Sequence, residues 1–404
     1  MMNNVAMDLP DFSGERLTPS PFEPRQAVLN LRDDWMQWNG YRFARSYYDP
    51  KFEYFCIRNT CGTYDISPMQ KYEVAGPNAE AFLNRLVTRD VSKLAVNRVV
   101  YACWCTDDGS LIDDGTIFRL GPQKFMLVSG SPNLAWLTKA AHGFAELVLR
   151  DISHDTAALS LQGPTSAAVL RRMGLAIDTL KPFQIGHFAM DGVPGELMVS
   201  RTGFTGDLGY ELWVDPEAAI ALWDRLYRAG ADFGIQPFGE TATVMARLEA
   251  GFILPGREFN EALKTINPAY RHTPFDLGLD WLIDFRKPHF NGRLALQKIA
   301  TAGSAYRLVK LDIEGNKEAN KSLLFSSKEC RDEIGFVTSA MWSPIVKANL
   351  ALAMIKLGAL KGEIWAEVNY SKELWPKRKV ARCIIRDESF WSHPRVRATP
   401  PFEF

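Results

Sequence analysis

Cysteine is scarce and unpaired. The six are Cys56, Cys61, Cys103, Cys105, Cys330 and Cys383. They form no C-x-x-C pair and have no histidine cluster beside them, which excludes the spacing of a zinc or iron–sulfur site, so no metal is expected. Sparse, unpaired cysteines suit a reducing compartment. Histidine is equally scarce, at six, and no H-E-x-x-H occurs. Neither sign of charge dominates: Lys+Arg and Asp+Glu are both 47. This argues against nucleic acid as an obligate partner, while a local basic pocket for one anionic ligand stays open. No apolar run approaches the roughly 18 residues of a membrane span, so no membrane is expected. Met1 to Asp11 lacks a basic segment followed by an apolar one and does not read as a signal peptide; the cytoplasm is the expected location.

What remains is an ordinary globular composition, 47% hydrophobic and 23% charged, over 404 residues. Such a length implies two or three domains. Residues 1–28, rich in Pro, Ser and charge, read as an N-terminal arm. The stretch from Trp38 to Tyr64 is aromatic without a single period. Asn78 to Leu86 reads as a helix. Val99–Cys105 and Leu111–Leu120 read as a hairpin around the turn residues Asp107-Asp108-Gly109-Ser110, with another strand at Lys124–Ser129. Helices are predicted at 133–148, Thr165–Met173, 216–229, 239–250 and Gly292–Ile299, with mixed loop and strand over 266–300. After Ala300 short alternating strands with turn signals predict a separate small β domain over 301–404.

Four places are candidates for chemistry. In the strand from Leu111 to Phe118, alternation puts Ile112, Asp114, Thr116 and Phe118 on one mostly apolar face, so Asp114 is expected to point inward and Asp113 away. A carboxylate on an apolar face requires a partner or a task; a solvated strand end fits the short pattern equally well. The run Arg201-Thr202-Gly203-Phe204-Thr205-Gly206-Asp207-Leu208-Gly209-Tyr210-Glu211 has glycines that let backbone approach a ligand. Glu211 faces away from Tyr210 and Leu212 and can accept paired N–H donors from a heterocycle; a plain hairpin explains the same residues. Arg247 and Glu249, near a helix end, read as a surface pair. Finally, Tyr101, Trp104, Trp213 and Trp281 are candidates for a cage around a methylated cation, with core packing the alternative.

In order and spacing, these segments resemble the glycine-cleavage T-protein (aminomethyltransferase) superfamily from about Trp38 to Trp391. The resemblance rests on Tyr64-Asp65-Ile66-Ser67, Gly109 to Asp114, Leu161-Gln162-Gly163-Pro164, the Arg201–Glu211 run, Arg247 to Gly251, Phe290-Asn291-Gly292-Arg293 and Gly335 to Ser339. It implies an α+β, three-domain cloverleaf, with residues 29–300 forming two interleaved α+β domains and 301–404 a small C-terminal β-barrel, around a central tetrahydrofolate cavity. It implies Asp114 as the catalytic carboxylate and Glu211, Tyr101, Arg247 and Trp391 as cofactor-binding residues. The family's folate-tail Arg is replaced here by Thr243. The Asp-Gly-Thr-Ile-Phe sequence that begins at Asp114, with Thr243, points toward the branch that demethylates a small sulfonium, methylated-amine or methoxy-aromatic donor. The alternatives are a true T-protein, partnered by a lipoyl carrier protein, and a non-catalytic folate-binding assembly protein.

Overall fold

The computed structural model of the chain describes residues 17–401. Two sheets interleave along the first 300 residues. Gln70–Ala75, Arg98–Cys105, Leu111–Gly121, Lys124–Ser129 and Val148–Asp151 form a five-stranded sheet. Cys61–Asp65 lies just before the first of these strands, yet it pairs with Ala157–Gln162 and Ile235–Pro237 in a six-stranded sheet. The remaining strands of that sheet are Ile185–Met190, Val193–Ser200 and Gly209–Val214. The chain thus leaves one sheet, builds the other, and returns. The last 100 residues close a six-stranded barrel in the order Tyr306–Ile313, Ala348–Lys356, Glu333–Ser343, Leu323–Phe325, Ile364–Lys372 and Trp375–Arg386. The mixed class and the C-terminal barrel expected from the sequence are both present.

Local chemistry accounts for the elements that frame the centre. Helix Pro50–Asn59 begins at Asp49, whose carboxylate caps the Lys51 N–H at 2.8 Å, with Pro as the first helical residue. It arises inside the aromatic stretch that had no readable period. Helix Glu240–Ala250 ends at Gly251, which takes the left-handed conformation (φ 78°) and returns its N–H to the helix. That helix packs on the barrel through Arg247. Its guanidinium is fully buried, bonding Glu258 at 2.8 Å and Ser339 Oγ at 2.8 Å.

Several expectations need correction. Residues 1–16 lie outside the described region, but 17–28 are not an arm. Phe22 is fully buried in the core beneath the six-stranded sheet, and Gln26 bonds Asp65 at 2.8 Å. The seven-residue helix Glu23–Leu29, which buries only Gln26, is too short to announce itself in a Pro-rich segment. The helix predicted over 133–148 stops at Ala140, and the chain turns back as the edge strand Val148–Asp151. Residues 266–292 hold short 3₁₀ turns and no strand. Arg247 and Glu249 are not a surface pair. Both are fully buried and face different partners, Arg247 meeting Glu258 and Glu249 meeting Arg58 at 2.7 Å.

Candidate active site

A cavity of about 1290 Å³ opens where the two sheets meet the barrel. A pocket for one small ligand encloses roughly 300–1,000 Å³, so this one has room for two reactants side by side. Tyr101, Asp114 and Glu211 line it together; Arg247 and Trp391 do not. Arg247 is committed to the helix–barrel seam described above. Trp391 lies in the C-terminal segment, its backbone N–H donating to the Glu249 carbonyl at 3.0 Å and its ring 5.3 Å from the Arg58 guanidinium. It acts as a clip that holds the chain end down and does not reach the cavity wall.

Asp114 stands on Leu111–Gly121, the second strand of the five-stranded sheet, between Arg98–Cys105 at the edge and Lys124–Ser129. Its Oδ2 accepts the Tyr101 hydroxyl at 2.5 Å. The next residue must be small. A Cβ on Gly115 would fall 2.2 Å from the Val128 carbonyl oxygen, so glycine lets the neighbouring strand close up behind the acid. Burial raises the Asp114 carboxyl from 3.8 to about 6, against the stabilising Tyr101 bond. The alternation argument placed this side chain correctly. It failed for its neighbours. A bulge opposite Cys105 resets the register, so Ile112 joins the other core with Ile117. Asp113 points away from the cavity but not into water, because helices cover that face of the sheet as well. It is fully buried, accepting Asn133 Nδ2 at 2.7 Å and the Asp114 N–H at 2.9 Å. Burial, then the Asp114 charge, pushes the Asp113 carboxyl well up, which favours a neutral acid behind an ionisable one.

Glu211 faces the cavity from Gly209–Val214, paired across the sheet with Ser200 and Ser160. Thr202 Oγ1 donates to it at 2.5 Å and Ser200 Oγ at 3.3 Å. No cation neutralises it through a described ion pair, and burial raises its carboxyl above the ordinary range. The glycine-rich run before it wraps Gln162. A Cβ on Gly203 or Gly209 would sit 2.2 or 2.1 Å from that amide, which also accepts Thr205 Oγ1 at 2.7 Å. The glycines therefore bring the loop against the protein's own glutamine, and the loop carries Phe204 onto the cavity wall.

Of the four candidate cage aromatics, Tyr101 and Trp281 come together at the cavity, with centroids 6.1 Å apart and planes 34° apart. Trp213 lies on another wall against Phe118, its Nε1 on Ser200 Oγ. Trp104 packs on the opposite side of its sheet. Sequence reasoning missed the Phe204–Phe252 stack at 5.5 Å, the acid Glu261, and the basic side of the cavity. There Arg257, Arg307, Lys310 and Arg386 gather. Three of these come from the barrel, and no local pattern announces that its strand ends close this cavity. Thr243 also lines the cavity but spends its hydroxyl on the Gly239 carbonyl at 3.0 Å.

Comparison with known proteins agrees with this architecture. The GCVT N-terminal domain family matches residues 26–287, and the glycine cleavage T-protein C-terminal barrel domain matches residues 307–382. The aminomethyltransferase of Halothermothrix orenii is 32% identical over 326 residues, 80% of this chain and 87% of that one. The trimethylamine-oxide aldolase of Ruegeria pomeroyi is 33% identical over 368 residues, 86% of this chain but 44% of that protein. The crystal structure of glycine cleavage system aminomethyltransferase T from Bartonella henselae superposes with a TM-score of 0.80 at 26% identity, over 93% of this chain and 98% of that one. With both regions matched in chain order across nearly all of the described fold, the chain belongs to the glycine-cleavage T-protein family.

Proposed function

We propose that this protein is a tetrahydrofolate-dependent one-carbon transferase of the aminomethyltransferase type, with Asp114 as its catalytic carboxylate. The observation that carries the reading is the pairing of two half-buried, cavity-facing carboxylates on different sheets, Asp114 and Glu211, within one space large enough for both a pterin and a donor. Glu211, held by two hydroxyls and no cation, suits a heterocycle that offers adjacent N–H donors. Phe204, Phe252 and Trp213 supply apolar walls for a flat ring system. The barrel cations, with Arg257, supply the positive side on which a carboxylate tail would lie, in place of an arginine at Thr243.

Tetrahydrofolate, when bound, supplies the nucleophilic nitrogen that takes the carbon unit. The chain's own part is positional and electrostatic. Tyr101 fixes the Asp114 carboxylate, whose ionised form stabilises positive charge developing beside it and accepts the proton that must leave. Holding both reactants in line lowers the barrier by up to roughly 7–11 kcal/mol. In the aminomethyl reading a lipoyl carrier protein delivers the unit. A second reading, transfer of a methyl group from a small methylated donor, is favoured by one feature, the Tyr101–Trp281 corner beside Asp114.

Mass spectrometry of folate after incubation with a donor panel tests this. The panel holds glycine with lipoyl carrier, betaines, methylated amines, sulfonium compounds and methoxybenzoates. Folate carrying one added carbon, as methylene or methyl, is expected with one class. Tight folate binding with no conversion across the panel would favour a non-catalytic binding protein instead.

A further inference from the structure

The end of the chain grips both ends of the Arg201–Glu211 run. At its start, Arg201 Nη1 donates to Thr399 Oγ1 at 2.8 Å. Nearer its end, Arg395 forks onto Asp207, Nε to Oδ1 at 2.5 Å and Nη2 to Oδ2 at 2.8 Å. Asp207 also accepts the Leu208 N–H at 2.8 Å, so the carboxylate that Arg395 holds shapes the loop's own backbone. Arg58 completes a buried array of charges, bonding Asp207 at 3.2 Å and Glu249 at 2.7 Å. The side chains of Arg58, Asp207 and Glu249 are fully buried, and that of Arg395 nearly so. Two guanidiniums thus serve two carboxylates, with the Trp391 ring against both at 5.3 and 5.8 Å. Without Arg395, one cation is left to two buried anions, and the hold on Asp207 is shared with Glu249. Residues 391–400 lie beyond both matched family regions, the second of which ends at residue 382.

Between those two grips the loop forms cavity wall. Thr202, Gly203, Phe204 and Thr205 line the cavity, and Thr202 donates to Glu211 at 2.5 Å. Gln162 fixes the loop from within, through Thr205 at 2.7 Å. Gly206 lies so close to the end of helix Glu240–Ala250 that an added Cβ would fall 2.5 Å from the Ala250 Cβ. Asp207 is the anchor on the side of the chain end. Neither Arg395 nor Thr399 lines the cavity. We propose that Arg395 is a positioning residue for folate: through Asp207 it holds the loop in the form that presents Phe204 and the Thr202–Glu211 pair to the pterin. The end of the chain then sets folate affinity without touching the ligand. This rests on the folate-transferase reading and adds a residue to it. A loop that is competent only part of the time lowers the apparent affinity by that fraction.

The test compares full-length wild type, Arg395→Ala, Arg395→Lys and Thr399→Val by hydrogen exchange and by calorimetry with tetrahydrofolate. In Arg395→Ala the amides of residues 202–209 should exchange faster, while those of the barrel strand Ala348–Lys356 keep wild-type rates. Tetrahydrofolate affinity should fall roughly 3- to 30-fold, the loss expected of a loop that is open most of the time. The single-turnover rate at saturating folate should stay within about 2-fold of wild type, because bound folate selects the closed loop and Asp114 is untouched. Arg395→Lys keeps the charge without the fork and should recover part of the affinity. Thr399→Val should show a smaller change of the same sign. Wild-type affinity in Arg395→Ala would overturn the proposal. So would faster exchange spread equally through the barrel, the mark of a purely structural contact. If Arg395→Ala does not fold, Arg395→Lys and Thr399→Val decide by the same two readings. Wild type and Glu211→Ala separate the failures. If wild type binds folate and Glu211→Ala weakens it while the Arg395 and Thr399 variants bind as wild type does, this inference alone falls. If wild type does not bind folate, the underlying reading falls.

Discussion

Replacing Asp114 by Asn should stabilise the free protein while disabling it. Burial lifts the folded carboxyl from 3.8 to about 6. That rise is equivalent to about 3 kcal/mol against the ionised form. Cavity water in contact with the group reduces this to about 1–2 kcal/mol in practice. The sign follows from linkage. Below the unfolded value the carboxyl is protonated in both states and carries no penalty. Above about pH 6 it is ionised in both, and the folded state bears the full cost. Asparagine has the same shape, accepts the Tyr101 hydroxyl through its amide oxygen and removes the charge. It also relieves the buried Asp113 behind it, since Asp114's charge is part of what pushes that carboxyl up. Urea denaturation of both proteins should therefore show a higher midpoint for Asp114→Asn at pH 7.5 and convergence of the two near pH 4. Equal midpoints at pH 7.5 would mean that Asp114 is well solvated, and the electrostatic argument for its role would be refuted.

The other predictions concern binding, pH and the frame. Glu211→Ala should weaken tetrahydrofolate by about 10-fold or more, measured by calorimetry, because one wall loses a charge-assisted acceptor. The kcat/KM profile should rise with pH through an apparent value near 6 as the Asp114 carboxyl ionises. Tyr101→Phe, which deletes a bond favouring the ionised form, should move that limb about one to two pH units higher; an unmoved limb would detach it from Asp114. Arg247→Ala should cost about 3–5 kcal/mol by stranding Glu258 in the helix–barrel seam, with folate affinity of the folded protein unchanged. A loss of folate affinity without loss of stability would instead return Arg247 to the cofactor site.

The parts legible in the sequence were those whose signals are local. Alternation and turn chemistry located the hairpin that carries Asp114, and the glycine-rich run located the loop before Glu211. The barrel was readable because turn residues separate its strands, although those strands run longer than the short segments expected, Glu333–Ser343 reaching 11 residues and Trp375–Arg386 reaching 12. Where two layers share one strand, the local pattern misleads. Asp113 was expected to point away from the interior, and it meets a second core because helices cover that face too. Charged residues were misjudged for the same reason. Arg247 and Glu249 carry the composition of a surface and the environment of a core, and only the approach of Glu258, Arg58 and the barrel reveals it. The basic wall of the cavity is assembled mostly from barrel strand ends far along the chain. No window of sequence contains it.

The central claim is that the Asp114 carboxylate acts at the point where the carbon unit meets folate. The most direct test is single-turnover formation of one-carbon folate by wild type and Asp114→Asn, with tetrahydrofolate affinity measured on the same samples. The account predicts a rate lower by on the order of 10²-fold or more with affinity little changed. A variant that binds folate and forms product at the wild-type rate would contradict it.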